Sequence, residues 1–497
     1  MRPTRMSLAF VLLAAALGGI WLATGRPEPS APLDESSSAT ASPAPVDIPL
    51  AAIVPGDPFL RNLADEPGTV HVALVAAEEQ MELRDGVTSE VYAYNGRIPG
   101  PTLELSEGDR VTVRFRNELS EPTTVHWHGL SLPIDSDGSP LDPVLPGEER
   151  TYSFDIPFGT AGTYWYHPHP HGTTTLQVAK GLFGALVIRA ADDPLPDSYP
   201  ERLLVLWDNR ILVDGSFEFT DPTSLPGQVD YENGREGDLI FVNGEVMPTL
   251  DIRSGEIQRW RIVNASASRV YRLAIPGQTV LHVGNDGGLF ERPVEVGEIL
   301  IANAERVEVL VRGTGAPGST AVLQTLPYDR YMPQTRPADW ESPIDMLTLR
   351  YDDGPVVTPD PVPETLRPIP YLDPADATAT RLVVMSQGLI NNRRFDMNRV
   401  DIEAFLGATE IWEVENVVGM DHPFHLHGFQ FQILDRDGVP EPFRSWKDTV
   451  NVPKESRVRF IVRYDDHPGL WMFHCHILDH EDHGMMGIVQ ISERRVS

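Results

Sequence analysis

The chain has 497 residues, a formal net charge of -32 at pH 7, 45 prolines, 40 glycines and a single cysteine. The length favours about three domains, and the acidic charge argues against nucleic acid as a partner, since that needs a basic surface. A single cysteine excludes an intramolecular disulfide and a cysteine-rich zinc site. Short apolar stretches separated by Pro, Gly, Asn and Asp predict an all-β protein.

The N-terminal residues 1–25 have the layout of an export segment. Arg2 and Arg5 precede an apolar run that extends to Ala23, as in a secretory signal peptide. The run is slightly short for a membrane-spanning helix, so an uncleaved anchor that tethers the protein to a membrane is the alternative. Both alternatives predict a periplasmic or secreted protein.

An internal repeat follows. Three stretches alternate apolar and polar residues between a glycine and an asparagine nine positions later: Gly108 to Asn117, Gly255 to Asn264 and Gly407 to Asn416. Alternation with period two is typical of a half-buried strand. Three such copies, spread along the chain, predict three related β-sandwich domains.

The domain boundaries follow from the repeat and from changes in composition. A segment rich in Pro, Ser and Ala is predicted to be a flexible tether, and a segment rich in Pro and acidic residues is predicted to be a linker. The predicted order is the tether at 26–65, domains at 66–191 and 199–352, the linker at 353–377 and a third domain at 378–497.

Most of the 15 histidines fall in four short motifs, all of them in the first and third domains. The motifs are His126-Trp-His128, His167-Pro-His169, His422-Pro-Phe-His425-Leu-His427 and His474-Cys-His476 followed by His480. On a strand, side chains two positions apart face the same way, so each His-x-His pair presents two imidazoles together. Burying so many imidazoles is costly unless a metal binds them, and imidazole suits copper, iron, nickel and zinc.

The triplet His474-Cys475-His476 narrows the choice of metal. On a strand, the Cys475 thiolate faces one metal site while the two flanking imidazoles face another. Two His, one Cys and a weak axial Met form a blue-copper electron-transfer site. Zinc is the rival metal, but it does not explain a lone cysteine with a methionine ten residues later. The side chains available to complete the cysteine site are His422, His480 and Met485.

Together these motifs resemble those of the multicopper oxidases, in particular the bacterial periplasmic copper-resistance and laccase types. The resemblance covers about residues 66–497 and implies three cupredoxin-like Greek-key β-sandwich domains with four copper ions per chain. It implies type 1 copper ligands His422, Cys475 and His480 with Met485 axial, and type 2 ligands His126 and His425. It implies type 3 ligands His128, His167, His169, His427, His474 and His476.

The resemblance also implies the reaction. A small-molecule or metal-ion reductant gives electrons one at a time to type 1 copper, and dioxygen is reduced to two waters at the trinuclear cluster of type 2 and type 3 copper. Phenols and aromatic amines are the first hypothesis for the reductant. A metal-ion oxidase acting on Cu(I) is the alternative, although the methionines of this chain form no dense cluster in the sequence. A copper-binding protein without turnover is the third hypothesis, and the sequence favours no oligomeric state.

Three acidic residues are further candidates. Asp137 and Glu481 match acids that relay protons near the cluster in similar enzymes. Their alternatives are a turn residue for Asp137, in Ser-Asp-Gly, and a solvated acid for Glu481. Asp421, directly before His422, is a weaker candidate for contact with substrate. An axial methionine lowers the type 1 potential relative to Leu or Phe, so Met485 predicts a modest potential.

Two histidines fall outside the assigned set. The sequence His167-Pro-His169-Pro-His171 allows two registers. The spacing of five from Gly162 to His167 matches the spacing in the fourth motif and selects His167 and His169. His171 is therefore predicted to lie outside the ligand set, near the cluster. His483 falls between His480 and Met485, where a ligand is not expected, and is predicted to be a surface residue or a minor influence on the substrate face.

Overall fold

The structure is a computed structural model that describes residues 48–219, 224–330 and 341–493. The predicted export segment and the first part of the tether lie outside the described residues. Within the described residues, no helix is long and apolar enough to span a membrane. The regular structure is mainly β-strand, arranged in three successive pairs of sheets, which confirms the predicted all-β class.

The first domain consists of two four-stranded sheets, ordered β2-β1-β4-β6 and β3-β8-β7-β5. Side chains from both sheets, including Leu74, Val113, Trp127 and Tyr166, form one buried core. The elements are β1 (Thr69–Arg84), β2 (Val87–Tyr94), β3 (Gly100–Ser106), β4 (Arg110–Asn117), β5 (His126–His128), β6 (Glu149–Asp155), β7 (Gly162–His167), helix α1 (Thr174–Ala179) and β8 (Gly184–Arg189).

The second domain pairs a seven-stranded sheet, β11-β10-β9-β13-β18-β15-β16, with a five-stranded sheet, β12-β20-β19-β14-β17. Its elements are β9 (Glu201–Asn209), helix α2 (Leu225–Asn233), β10 (Leu239–Val242), β11 (Glu245–Val246), β12 (Thr249–Ile252), β13 (Ile257–Asn264), β14 (Tyr271–Ala274), β15 (Val280–Asn285), β16 (Gly288–Val296), β17 (Ile299–Ile301), β18 (Arg306–Arg312), β19 (Thr320–Thr325) and β20 (Ile344–Tyr351).

The third domain pairs a six-stranded sheet, β22-β21-β24-β29-β26-β27, with a five-stranded sheet, β23-β31-β30-β25-β28. Its elements are β21 (Ala377–Ser386), β22 (Leu389–Ile390), β23 (Ile402–Phe405), β24 (Thr409–Asn416), β25 (His422–Leu426), β26 (Phe431–Arg436), β27 (Val439–Pro440), β28 (Thr449–Val452), β29 (Arg457–Arg463), β30 (Gly469–Cys475), helix α3 (Leu478–Asp482) and β31 (Met486–Ser492). Short 3₁₀ turns occur at Leu50–Ala52, Ile134–Ser136 and Pro374–Asp376.

The three repeated stretches become the equivalent strands β4, β13 and β24. Each pairs in parallel with the first strand of its domain and antiparallel with a later strand. The closing residues Asn117, Asn264 and Asn416 each donate Nδ2–H bonds to loop carbonyls and accept a backbone N–H bond from two residues further on. The asparagine therefore holds the loop that leaves the strand, an arrangement that suits its short amide side chain.

Part of the predicted tether packs on the first domain. Ile48 and Leu60 are buried; Arg114 Nη1 donates to the carbonyl of Ile48 at 2.7 Å, and the Leu60 N–H donates to the carbonyl of Thr102 at 2.9 Å. Residues 48–65 therefore differ from the predicted flexible tether. The Pro, Ser and Ala composition predicts flexibility. The few apolar side chains of the segment are nevertheless buried against the first domain.

Candidate metal centre

Four strand ends bring eight imidazoles together between the first and third domains. In register, His126 on β5 lies opposite His167 on β7, and His425 on β25 lies opposite His474 on β30. Each His-x-His pair therefore projects its rings to the same side, as the period of a strand requires. The members of this imidazole cluster are all at most 1% exposed: His126, His128, His167, His169, His425, His427, His474 and His476.

The ring nitrogens of the cluster face one another at short range. The Nε2 atom of His474 lies 3.2 Å from Nε2 of His169 and 3.1 Å from Nε2 of His427. Nδ1 of His128 lies 3.4 Å from Nε2 of His167. Several groups of three ligand atoms lie within 4.8 Å of one another, including those of His126, His425 and His427. Such convergence of acceptors suits metal cations.

Other ring nitrogens of the imidazole cluster have no hydrogen-bond partner among the described residues. They are Nε2 of His126, Nδ1 of His169, Nε2 of His425 and both nitrogens of His476. A buried polar atom without a partner is costly, and coordination of a metal removes that cost. The residues present therefore fit a metal cluster with imidazole ligands.

Burial keeps these ligands neutral. Desolvation, followed by neighbouring imidazoles, holds the pKa values of most of the rings well below the usual range, as for His128, His169 and His427. Burial also lowers the pKa of His474, to about 3. Because a neutral imidazole is the form that binds metal, the site has its ligands ready at neutral pH.

Two acidic residues lie close to imidazoles from both domains. Asp137 Oδ2 lies 3.0 Å from Nδ1 of His427, and its backbone carbonyl lies 2.9 Å from Nδ1 of His126. Glu481 lies 3.2 Å from Nδ1 of His474 and 3.4 Å from Nδ1 of His169. Both acids are buried, so neither is a solvated turn residue. Burial raises the pKa of Glu481 well above its usual range.

Sequence reasoning missed one acidic contact of the cluster. Asp448 Oδ1 lies 3.0 Å from Nε2 of His128, and its backbone carbonyl lies 2.9 Å from Nδ1 of His425. The hydroxyl of Thr449 also lies 3.0 Å from Nε2 of His128. Asp448 and Thr449, at the start of β28, belong to no motif that the sequence reveals. Only the pairing of β28 with β25, in which Thr449 lies opposite His425, reveals it.

A second group of buried side chains that could bind a metal surrounds Cys475. Its Sγ lies 3.7 Å from Nδ1 of His480, and the rings of His422 and His480 have centroids 5.0 Å apart at 84°. The Cys475 N–H donates to the carbonyl of the buried Met485 at 3.1 Å. Neither nitrogen of His422 has a partner among the described residues. Burial raises the pKa of the Cys475 thiol to about 12, so a thiolate here needs a bound cation.

Helix α2 of the second domain covers the outer side of the cysteine site. The Nε2 atom of His480 lies 3.3 Å from the backbone carbonyl of Glu232, and His480 is only 2% exposed. Tyr231 on the same helix packs against His483, with ring centroids 4.2 Å apart. His483 thus supports the cover, while His171 packs against Phe395 at 5.2 Å.

Asp421 does not face the outside of the cysteine site, in contrast to its weak prediction as a substrate contact. It is buried, and its carboxylate accepts hydrogen bonds from the Tyr328 hydroxyl at 2.5 Å, from Nδ2 of Asn451 at 2.8 Å and from the Lys454 N–H at 2.9 Å. These three hydrogen bonds hold the buried carboxylate among Tyr328, Asn451 and Lys454 and stabilise the loop beside His422.

Comparisons with known proteins agree with this geometry. Family models described as multicopper oxidase match residues 75–193, 220–354 and 368–495. The multicopper oxidase mco of Staphylococcus aureus is 32% identical, over 86% of this chain and 90% of that protein. A structure described as a multicopper oxidase from Campylobacter jejuni, a metallo-oxidase, has a TM-score of 0.79 and 34% identity, and covers 88% of this chain and 94% of that chain. A laccase from Pediococcus acidilactici has a TM-score of 0.76 and 32% identity, and covers 88% and 92%.

Proposed function

The chain belongs to the multicopper oxidase family, and we propose that it couples four one-electron oxidations of a reducing substrate to the reduction of dioxygen to two waters. The observation that carries the proposal is the position of Cys475 between His474 and His476. Its sulfur lies in the cysteine site, whereas the imidazoles on both sides lie in the imidazole cluster. A few covalent bonds thus join the cysteine site to a cluster in which several groups of three side chains could each hold a metal ion.

The ligand assignment proposed for each copper ion follows the sequence motifs. The type 1 ligands are His422, Cys475, His480 and Met485; the type 2 ligands are His126 and His425; the type 3 ligands are His128, His167, His169, His427, His474 and His476. When bound, copper supplies the one-electron chemistry that these side chains lack. The chain's own contribution is to hold neutral imidazoles in place and to exclude bulk water from them.

Of the two acidic residues beside the cluster, Glu481 is proposed to supply protons and Asp137 to orient ligands. Reduction of dioxygen to water consumes protons, so a protonated carboxyl beside the cluster can act as a general acid. Glu481 fits this role because burial raises its pKa well above the usual range while it contacts His169 and His474. Asp137 instead orients His126 and His427 through its carbonyl and its carboxylate.

The covering of His480 by α2 separates the two hypotheses for the reductant. Phenols and aromatic amines are bulky and need an exposed edge of a type 1 ligand for close contact, whereas His480 lies beneath the Glu232 carbonyl. A small metal cation is attracted by negative charge and does not need a large exposed edge of a ligand. The net charge of the chain is -32. This geometry favours a metal-ion reductant such as Cu(I), which is consistent with the metallo-oxidase from Campylobacter jejuni. Oxidation of phenols is the second candidate, consistent with the laccase from Pediococcus acidilactici.

Oxygen uptake by the purified, copper-loaded protein tests both the proposed oxidase activity and the proposed choice of reductant. We expect a blue protein that consumes oxygen faster with Cu(I) than with a phenolic dye. Cys475→Ser is the matched variant: it is expected to lose the blue band and turnover while keeping copper in the imidazole cluster. A colourless copper-loaded wild type, or a blue protein that takes up no oxygen with either donor, contradicts the proposed function. Faster uptake with the phenolic dye contradicts only the choice of reductant.

We also propose that the chain works outside the cytoplasm, because residues 1–25 have the layout of an export segment. Fractionation of cells that express the full chain tests this. Recovery in the cytoplasmic fraction contradicts it.

A further inference from the structure

A buried arginine of the second domain reaches the edge of the imidazole cluster. Arg306, at the start of β18, is 0% exposed and donates from both Nη atoms to the carboxylate of Asp448, at 2.8 Å and 2.5 Å. Its Nε also donates to the carbonyl of Thr163 on β7 at 3.1 Å. A two-pronged bond of this kind fixes the plane and the position of a carboxylate.

Asp448 passes this constraint on to two imidazoles. Its Oδ1 lies 3.0 Å from Nε2 of His128, and its carbonyl lies 2.9 Å from Nδ1 of His425. A carboxylate that accepts the Nε2 proton of His128 leaves the Nδ1 atom of that ring, which faces His167, free to bind metal. The orientation of Asp448 thus decides which nitrogen of His128 is available.

The same loop of the second domain, residues 302–306, touches the cluster a second time. The Nδ2 atom of Asn303 donates to the backbone carbonyl of His476. Between these two contacts lies Ala304, a fully buried alanine with φ of 71°. The left-handed conformation is unfavourable for an alanine, and such strain persists where the surrounding structure requires it. Here it directs Asn303 to the carbonyl of His476 and Arg306 to the carboxylate of Asp448.

Lys447 of the third domain forms two ion pairs with the second domain, one of them with the loop itself. Nζ of Lys447 lies 3.2 Å from Glu305 and 2.9 Å from Asp286. Lys447 directly precedes Asp448, so the backbone of the contacted strand is held as well as its side chain.

We propose that loop 302–306 of the second domain, which supplies none of the assigned ligands, positions the ligands of the trinuclear cluster, with Arg306 acting through Asp448 on His128 and His425. The inference rests on the proposed function for the identity of the metal. Arg306 is a positioning residue, because it touches no ligand itself. Removing a partner outside the ligand shell of a metal site typically weakens metal binding about 10–100-fold.

The rival explanation is that Arg306 only joins the domains. Arg259 provides the matched control, since it is also a buried arginine of the second domain, with bonds to Glu308 at 2.6 Å and Asp193 at 2.5 Å. Among the described residues, its side chain forms hydrogen bonds with neither Asp448 nor any of the assigned ligands. If only domain attachment matters, Arg306→Met and Arg259→Met have the same effect on copper.

The experiment measures copper affinity by competition with a chelator, the type 2 electron paramagnetic resonance signal and the blue band in the wild type, Arg306→Met and Arg259→Met. We expect Arg306→Met to lose affinity at the trinuclear cluster about 10–100-fold and to change the type 2 signal, with the blue band retained. Arg259→Met is expected to keep the copper properties of the wild type.

Wild-type affinity and an unchanged type 2 signal in Arg306→Met overturn the inference, as do equal losses in both variants. If Arg306→Met does not fold, Arg306→Lys decides, because it keeps the buried charge and loses the two-pronged geometry. A lowered affinity in Arg306→Lys supports the inference, and wild-type affinity overturns it. A wild type without any bound copper contradicts the proposed function instead.

Discussion

Asp137 in the first domain and His427 in the third lie 3.0 Å apart, measured between Oδ2 and Nδ1, although 290 residues separate them in the chain. The backbone carbonyl of Asp137 lies 2.9 Å from Nδ1 of His126 as well. One residue therefore sets the orientation of two rings that stack on each other with centroids 3.9 Å apart. The contact makes the alignment of the two domains part of the geometry of the cluster.

Replacing Asp137 tests this role. In Asp137→Ala, His427 loses the acceptor of its Nδ1 proton, so its Nε2 atom is no longer the only nitrogen available to metal. We expect turnover to fall about 10–100-fold, the usual effect of losing a partner of a metal ligand, while the blue band is kept. Oxygen uptake with Cu(I) is the measurement. Asp135→Ala, at an exposed position of the same 3₁₀ turn, is the control and is expected to retain wild-type turnover.

Glu481 allows a separate test of proton supply. Because burial holds its pKa well above the usual range, the protonated form of the carboxyl, which can donate a proton, is favoured. Glu481→Gln keeps the shape and removes the acid, so we expect turnover to fall about 100-fold or more. Anaerobic reduction of the blue band by the donor, followed by stopped flow, is expected to keep its wild-type rate. Glu403→Gln on the exposed face of β23 is the control, and a slowed anaerobic reduction in Glu481→Gln contradicts a role limited to proton supply.

The sequence predicted local features of the metal centre better than contacts between domains. The His-x-His pairs follow the period of a strand, so their shared face was predictable from spacing alone. Asp448 and Arg306 were missed because neither lies in a motif, and their meeting depends on how β28 and β18 approach one another across a domain boundary. The prediction for Asp421 differed from the structure for the same reason, since Tyr328 and Asn451, which bind its carboxylate, are distant in sequence.

The domain organisation shows the same division. The Gly-to-Asn stretches predicted β4, β13 and β24 because alternation and a closing asparagine are local signals. The packing of residues 48–65 on the first domain was not predicted, because a few apolar side chains in a Pro- and Ser-rich segment do not reveal whether a core accepts them. The buried side chain of Ile48 shows that the first domain accommodates this segment.

The buried charges between the first two domains predict how stability depends on pH. Burial acts to raise the pKa of Glu308, but Arg259 and Arg261 outweigh it and lower the value to about 2. A folded-state pKa below the unfolded value of about 4.3 means that ionised Glu308 stabilises the fold above about pH 4, and that this contribution is lost as the pH falls toward 2. The contribution is on the order of 3 kcal/mol.

Chemical denaturation of the copper-free protein between about pH 5 and pH 2 measures this contribution. We expect Glu308→Gln to be less stable than the wild type near pH 5 and to lose less stability on acidification. The exposed Glu403→Gln is expected to follow the wild type. Parallel curves for the wild type and Glu308→Gln contradict the proposed stabilising role of the ionised carboxylate.

Met485 tests the cysteine site by a change of one ligand atom. The side chain is fully buried, and exchange of Met for Leu conserves volume closely enough to cost less than about 1.5 kcal/mol. Leu removes a weak sulfur donor that favours oxidised copper, so Met485→Leu is expected to raise the type 1 potential. A spectroscopic redox titration of the blue band measures the change. Met346→Leu, equally buried in the second domain, is expected to leave the potential unchanged. An unaltered potential in Met485→Leu shows that the sulfur is not a ligand, because the loss of an axial donor alters the balance between the two oxidation states.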